Sequence, residues 1–347
     1  MILSGSSTLE TRTGYFPEKE QVISLTGAEM SILITGGTGF IGARVAIKLA
    51  TAGHQVVCFD LSPNLERIAE VADKVKVIQG DVALVEDIID VIEDYNVEKI
   101  VHVSRHTGAS LQPAKNVYLH QAFRVNALGT NCVFEAARLS GIKRVVFASS
   151  VAYHGKQDFF GEKPIKEEDP GYADWPYGAT KIINEVMANT YNKAHGMSII
   201  AARFPIAYGP GKLSGRAWVN DMAMLPAVGK PVKVPCRSDE KVCLIYVDDI
   251  AEIFQELCQR EHLAHQVYTS GGHTRTVEEL SNIVKGLIPD ARISFDEEAP
   301  PLGLPYLFDN SRIRQELGIK LRILKDGLLE VINQSRSKAG LPSISKL

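Results

Sequence analysis

Tyr177 and Lys181 stand in the run Y-G-A-T-K, so on a helix the two side chains share one face. An ammonium beside a phenol stabilises the phenolate and brings a tyrosine pKa of roughly 10 toward working pH. The tyrosine can then take the proton of a substrate hydroxyl while hydride leaves the carbon that bore it. Lys181 can also bond a ribose hydroxyl. Upstream, Ser149 and Ser150 close the run VVFASS, and a serine hydroxyl at a strand end can hold the same substrate oxygen. A lone Y-x-x-x-K pair is common on exposed helices. This one gains meaning from a glycine loop and an acid placed earlier in the chain.

The loop lies in Ser31 to Ala46, SILITGGTGFIGARVA. An apolar run of buried-strand character stops at Gly36, and Gly39 and Gly42 follow at intervals of three. Such glycines let the chain turn tightly, bring bare backbone to a pyrophosphate and seat the next helix close to the sheet. The free N–H groups of that helix then face the phosphates. A second strand, HQVVCF, ends at Asp60, about twenty residues further on, where a carboxylate accepts from the adenosine ribose hydroxyls and repels a 2′-phosphate. The pattern favours NAD over NADP; the competing reading of Asp60 is a helix cap or a solvated loop acid.

These groups need elements to position them. Apolar runs predict strands at 31–35, 54–59, 75–79, 99–103, 143–148 and 198–204. Helices are expected between them at 39–51, 63–72, 84–94, 119–140 and 176–195. Strand and helix in alternation imply an α/β fold, a doubly wound parallel sheet with the ligand at the carboxyl ends of its strands. Beyond Tyr208 glycines and prolines break the chain into short pieces, which marks a smaller C-terminal substrate-binding lobe. The expected partition is an arm at 1–29, a dinucleotide-binding domain at 30–205 to which 245–272 returns, and a substrate lobe from 206–244 and 273–347. Thr276 and Glu279 form a capping box before a helix, and further helices start near Ser311 and at about 324.

Composition narrows the function classes. The 347 residues carry 38 Lys+Arg against 41 Asp+Glu, a net charge of −3, which leaves no basic excess for nucleic acid. No apolar stretch approaches the roughly twenty residues that span a bilayer, and no secretory signal opens the chain. A cytoplasmic enzyme is expected. Five cysteines without C-x-x-C spacing read as reduced thiols with no metal role.

From about residue 31 to 335 the chain resembles an extended short-chain dehydrogenase/reductase of the NAD-dependent epimerase/dehydratase family. The matching motifs are TGGTGFIG (35–42), Gly80-Asp81-Val82, the N-x-x-G-T helix at Asn126, and Y-x-x-x-K. Further matches are RFPIAYGP (203–210) and YVDD (246–249). The resemblance implies that Gly36, Gly39, Phe40, Ile41 and Gly42 bind the NAD pyrophosphate. It further implies that Asp81 and Val82 contact adenine, that Asn126 supports the active-site backbone and cofactor, and that Ala207 passes the nicotinamide. Ser150, four residues before His154-Gly155, matches the catalytic serine, with Ser149 as fallback. A homodimer through a four-helix bundle of the helices at 119–140 and 176–195 is implied as well.

Departures from the family pattern bear on the substrate. Ile206 replaces an asparagine and Val242 an arginine that meet the nucleotide pyrophosphate in nucleotide-sugar enzymes, which argues for a non-nucleotide substrate, since apolar side chains cannot hold a pyrophosphate. Ser104 and Arg105 stand where the family has small residues lining the cofactor. Arg105 reads as a ligand of the cofactor phosphates or of a substrate carboxylate, or as an exposed loop arginine. His106, Thr107, His154, Arg216 and Trp218 are candidate substrate contacts, His154 with a buried loop role as its alternative. Arg216 beside an aromatic ring suits an anionic or sugar-like ligand, or is a surface arginine beside a core tryptophan. Asp248 and Asp249 read as helix N-terminal acids.

The leading expectation is therefore an NAD-dependent oxidoreductase acting on a secondary alcohol or carbonyl of a small, polar, non-nucleotide substrate such as a sugar or sugar acid. The alternative is a sugar epimerase or dehydratase that uses the same residues with transient hydride transfer. A non-catalytic NAD-sensing or scaffold protein is a third reading, disfavoured by the complete Ser150, Tyr177 and Lys181 set.

Overall fold

The structure, a computed structural model, describes residues 31–106 and 119–345. Thr107 and the arm at 1–29 lie outside them. The chain opens with β1 (Ser31–Thr35), α1 (Phe40–Thr51), β2 (Gln55–Asp60), β3 (Val75–Gln79), α2 (Val85–Asp94) and β4 (Val97–His102). Next come α3 (Leu119–Phe123), a π-helical turn (Arg124–Gly129), α4 (Thr130–Leu139), β5 (Arg144–Ser150), α5 (Pro176–His195), β6 (Ser198–Phe204) and β7 (Ile206–Tyr208). Then follow α6 (Trp218–Ala227), β8 (Val232–Val234), β9 (Lys241–Tyr246), α7 (Val247–Gln259), β10 (Val267–Thr269) and β11 (His273–Thr276). The last elements are α8 (Val277–Leu287), β12 (Ile293–Phe295), α9 (Ser311–Glu316) and α10 (Leu324–Lys338).

The main sheet has seven strands in the order β10-β6-β5-β4-β1-β2-β3, all paired in parallel. Helices cover both faces, which is why β1 is buried throughout instead of alternating. Ile32 and Ile34 enter the core under α1 and α7, while Leu33 enters the opposite core with α2 and α4. The order reverses between β1 and β4, and a doubly wound sheet opens its binding crevice at that point.

A smaller body packs beside it. β7, β9 and β11 form a three-stranded sheet and β8 pairs with β12, and both lean on α6, α8 and α10 around Tyr208, Val242, Leu244 and Val284. Thr276 caps α8 in a reciprocal box with Glu279. Two expected helices differ in detail. The segment expected at 63–72 is a 3-10 helix over Leu65–Val71, packed through buried Ile68 and Val71. The helix expected at 119–140 carries the π turn, in which the Asn126 carbonyl accepts from the Asn184 side chain at 2.8 Å and from the Thr130 hydroxyl at 3.0 Å. Side-chain donors that compete for a helical carbonyl widen the turn.

Candidate active site

The loops leaving β1 and β4 touch at the crevice: a Cβ on Gly36 would stand 2.8 Å from the backbone nitrogen of Ser104. One on Gly42 would stand 2.0 Å from the Gly36 carbonyl oxygen, so only a glycine lets α1 seat on its own loop. Gly39, the residue before α1, gives the helix no side-chain cap, which leaves its first N–H groups for an anionic ligand. Asp60, at the end of β2, accepts from the backbone nitrogen of Thr38 at 3.2 Å and from its hydroxyl at 2.8 Å. Its carboxylate is thereby fixed beside the glycine loop. An uncapped helix start and an acid at the neighbouring strand end fit the pyrophosphate and adenosine ribose of NAD.

The other cofactor candidates border the same crevice. Asp81 receives Arg124 at 2.7 Å and the Ala83 N–H at 2.9 Å. Val82 is buried and lies under Gly129, where an added Cβ would meet its side chain at 3.0 Å. Asn126 braces the chain after β4, accepting from the His106 N–H at 2.8 Å and donating to the His106 carbonyl at 3.1 Å. Ala207 is buried in β7.

Pro176 occupies the first turn of α5, where its fixed φ suits a helix start. Tyr177 follows at once, with Lys181 one turn later. Gly178 lets this helix start press on the segment after Ser150, since a Cβ there would stand 2.6 Å from the Ala152 carbonyl oxygen. The Lys181 ammonium lies 5.4 Å from the centre of the Tyr177 ring and donates to the Ala148 carbonyl at 2.7 Å. Ser150 takes the Ala152 N–H at 3.2 Å. Burial opposes ionisation of the Tyr177 phenol, yet Lys181, Arg105 and the Ser150 hydroxyl outweigh it and hold the pKa below the ordinary tyrosine value. Burial also lowers the Lys181 pKa, against the pull of Tyr177 and Glu185. A phenol and an amine that both release protons more readily than usual are suited to relaying one.

The expected substrate contacts separate. His154 is fully buried, its Nε2 3.0 Å from Arg203, and burial pushes its pKa down to about 3; it belongs to the core. Arg203 in turn forks onto Glu185 at 2.9 and 2.6 Å, and Ser149 donates to the same carboxylate, so Ser149 supports the sheet while Ser150 is left near the phenol. Trp218 starts α6 and packs on the core of the smaller body. Arg216 is half-buried, and burial lowers its pKa to about 10. Asp248 binds Arg44 of α1 at 2.5 Å, and Asp249 accepts the Arg322 N–H at 2.9 Å. Ile206 packs against the core that contains the fully buried Val242.

Lys212 escaped the sequence reading. Its ammonium donates to the Ala207 carbonyl at 2.7 Å and lies 5.5 Å from the centre of the Phe40 ring. Burial lowers its pKa to about 7, helped by Arg105 and Arg216. The only signal in the sequence was a lysine directly after Y-G-P-G.

Residues 32–269 match the NAD dependent epimerase/dehydratase family, and the chain belongs to that family. It is an NAD-dependent enzyme of the extended short-chain dehydrogenase/reductase type. A dTDP-glucose 4,6-dehydratase of Streptomyces niveus is 28% identical over 336 residues, covering 88% of this chain and 93% of the relative. A trifunctional UDP-glucose 4,6-dehydratase/UDP-4-keto-6-deoxy-D-glucose 3,5-epimerase/UDP-4-keto-L-rhamnose-reductase of Arabidopsis thaliana is 26% identical over 305 residues. That alignment takes in 82% of this chain but only 44% of the relative, so the chain spans under half of that protein. Among solved structures, the NAD complex of a Thermus thermophilus UDP-glucose 4-epimerase has a TM-score of 0.77 at 23% identity, covering 88% of this chain and 99% of that one. It is a likeness of fold.

Proposed function

We propose that the enzyme is an NAD-dependent sugar epimerase or dehydratase that oxidises its substrate transiently and returns the hydride within one cycle. This reverses the sequence-based preference for net oxidation of a non-nucleotide substrate. Similar proteins include dehydratases and epimerases of nucleotide sugars, among them a UDP-glucose 4-epimerase of Mycolicibacterium smegmatis that is 26% identical over 326 residues, and also a dTDP-4-dehydro-6-deoxyglucose reductase of Escherichia coli that is 23% identical over 319. The observation that carries the reading is Tyr177 set beside Lys181 and Arg105, with its phenol made more acidic by them. NAD, when bound, supplies the hydride acceptor. Tyr177 removes the proton of the substrate hydroxyl, Lys181 stabilises the phenolate, and Ser150 orients the reacting oxygen. Asp60 and the uncapped start of α1 would hold the cofactor.

The test is stoichiometric. Purified enzyme is mixed with UDP-glucose, dTDP-glucose and their uronic acid counterparts, and product and NADH are followed together. Conversion without accumulation of NADH supports the closed cycle; one NADH released per product replaces it with net dehydrogenation. A homodimer belongs to the same proposal. Phe123, Leu128 and Leu139 on the α3–α4 segment and Ile183 and Val186 on α5 are large apolar side chains left exposed. A second copy would bury them in a four-helix bundle. Light scattering at twice the mass of one chain supports it, and a monomer removes it.

A further inference from the structure

Three cations from two loops gather beside the reactive phenol, Arg105 against its ring and Lys212 and Arg216 within electrostatic reach of Arg105. Arg105, after β4, holds its guanidinium carbon 4.8 Å from the centre of the Tyr177 ring. The loop before α6 comes down on it, since a Cβ on Gly215 would stand 3.5 Å from an Arg105 terminal nitrogen. Arg216 is the next residue. Lys212, on the same loop, is tied to Ala207 of β7. Burial lowers the pKa of both Lys212 and Arg216, and the Arg105 charge lowers each further. Among the described residues none of them forms a salt bridge, and Glu240, which favours the Arg216 charge, is already paired with Arg237 at 3.1 Å. Lys212 and Arg216 are half-buried and Arg105 is exposed, and like charges held close without a paired acid cost stability that a bound anion offsets.

Arg105 brings cationic capacity beside the reacting hydroxyl, and the loop that carries Lys212 and Arg216 folds onto it. Resting on the proposed sugar chemistry, we infer that Arg105, Lys212 and Arg216 form an anion subsite for a carboxylate or phosphate carried by the substrate close to its reacting carbon. A sugar acid or sugar phosphate is the class of ligand it takes. Arg105 reaches both the anion and the phenol, so binding the anion also places the hydroxyl next to Tyr177. Two arginines and a lysine are the donor set that carboxylates and phosphates select, Arg by paired N–H groups and Lys as a point charge.

Calorimetric titration of the NAD-loaded enzyme with glucose, glucuronate, glucose 6-phosphate and UDP tests it without relying on turnover. Wild-type protein is expected to bind glucuronate or glucose 6-phosphate at least ten-fold more tightly than glucose. Lys212→Met and Arg216→Gln are each expected to lose that advantage while binding NAD within two-fold of wild type. The better of the two sugars tells carboxylate from phosphomonoester, and a gain confined to UDP that the two substitutions abolish makes a nucleoside diphosphate the source of the anion. Equal binding of glucose and the anions, no binding of any anion, or anion binding untouched by the substitutions overturns the subsite. So does a loss of NAD affinity in Lys212→Met as large as the loss of the sugar, because the cluster would then serve the cofactor pyrophosphate. If hydride transfer fails as the chemistry while these titrations succeed, the proposed reaction falls and the subsite stands.

Discussion

Arg105 places its guanidinium carbon 4.8 Å from the centre of the Tyr177 ring, so the phenol sits between two cations, Arg105 on one loop and Lys181 on its own helix. Both favour the phenolate against the burial that opposes it. In the direction that removes a proton from the substrate, the rate should therefore rise with pH through a Tyr177 pKa held below its ordinary value. Arg105→Ala withdraws one of the two charges, and the rising limb moves to higher pH. The logarithm of kcat/KM against pH for both proteins measures this; limbs that coincide would mean that Arg105 does not act on the phenol.

Removing the phenolic oxygen is a sharper probe. Tyr177→Phe keeps the ring and its packing but leaves nothing to accept the proton, and general base catalysis of this kind is worth about 10²–10⁴ in rate. Turnover should fall by that order while NAD binding, followed by fluorescence titration, changes little. Full activity in the variant would contradict the assignment of Tyr177.

How far the sequence leads depends on the range of the interaction. β1, the glycine loop and Asp60 were legible because a buried parallel strand and a tight phosphate turn are written in adjacent residues. Tyr177 and Lys181 were legible because a helix brings residues four apart together. Long-range partners left no such trace. The sequence leaves His154 between a substrate contact and a buried loop role, and the bond to Arg203, 49 positions away, that settles it on burial has no local signature. Lys212 joins Arg105 only because the loop before α6 folds back over the end of β4, and no local period announces that return. The π turn at Asn126 depends on the Asn184 side chain, 58 positions away.

Asp60 is the residue expected to choose between the dinucleotides. Its carboxylate is held by the Thr38 backbone and hydroxyl, so it cannot swing away from a 2′-phosphate, and the charge repulsion is built in. Asp60→Ala should weaken NAD binding and raise that of NADP, narrowing the preference by at least ten-fold, or about 1.4 kcal/mol. Kd values for both cofactors on wild type and variant give the answer. Wild-type protein that already prefers NADP would show that Asp60 has another task.

Two buried histidines set the response to mild acid. Burial pushes the pKa of both His102 and His154 down to about 3, with Lys181 and Arg203 respectively adding to the effect. Both therefore stay neutral in the folded chain, whereas the unfolded chain takes up a proton on each as pH falls through about 6.5. The unfolded state then binds more protons, and stability drops with falling pH from about 6.5 toward 3, by about 1.4 kcal/mol per pH unit for each histidine. Above 6.5 neither contributes. Asp249 works in the opposite sense, because burial raises its pKa to about 6 and the folded chain gains a proton there before the unfolded one does. Between pH 6 and about 4 it offsets roughly one of the two. His102 bridges the hydroxyls of Thr35 at 2.6 Å and Thr130 at 2.9 Å, contacts that the side-chain amide of His102→Gln can imitate with no titrating group. Urea denaturation at pH 7, 6 and 5 should show wild type losing stability faster than His102→Gln, the gap between them widening by about 1.4 kcal/mol per unit below pH 6.5. A gap that stays constant with pH would mean that His102 carries a proton in the folded protein.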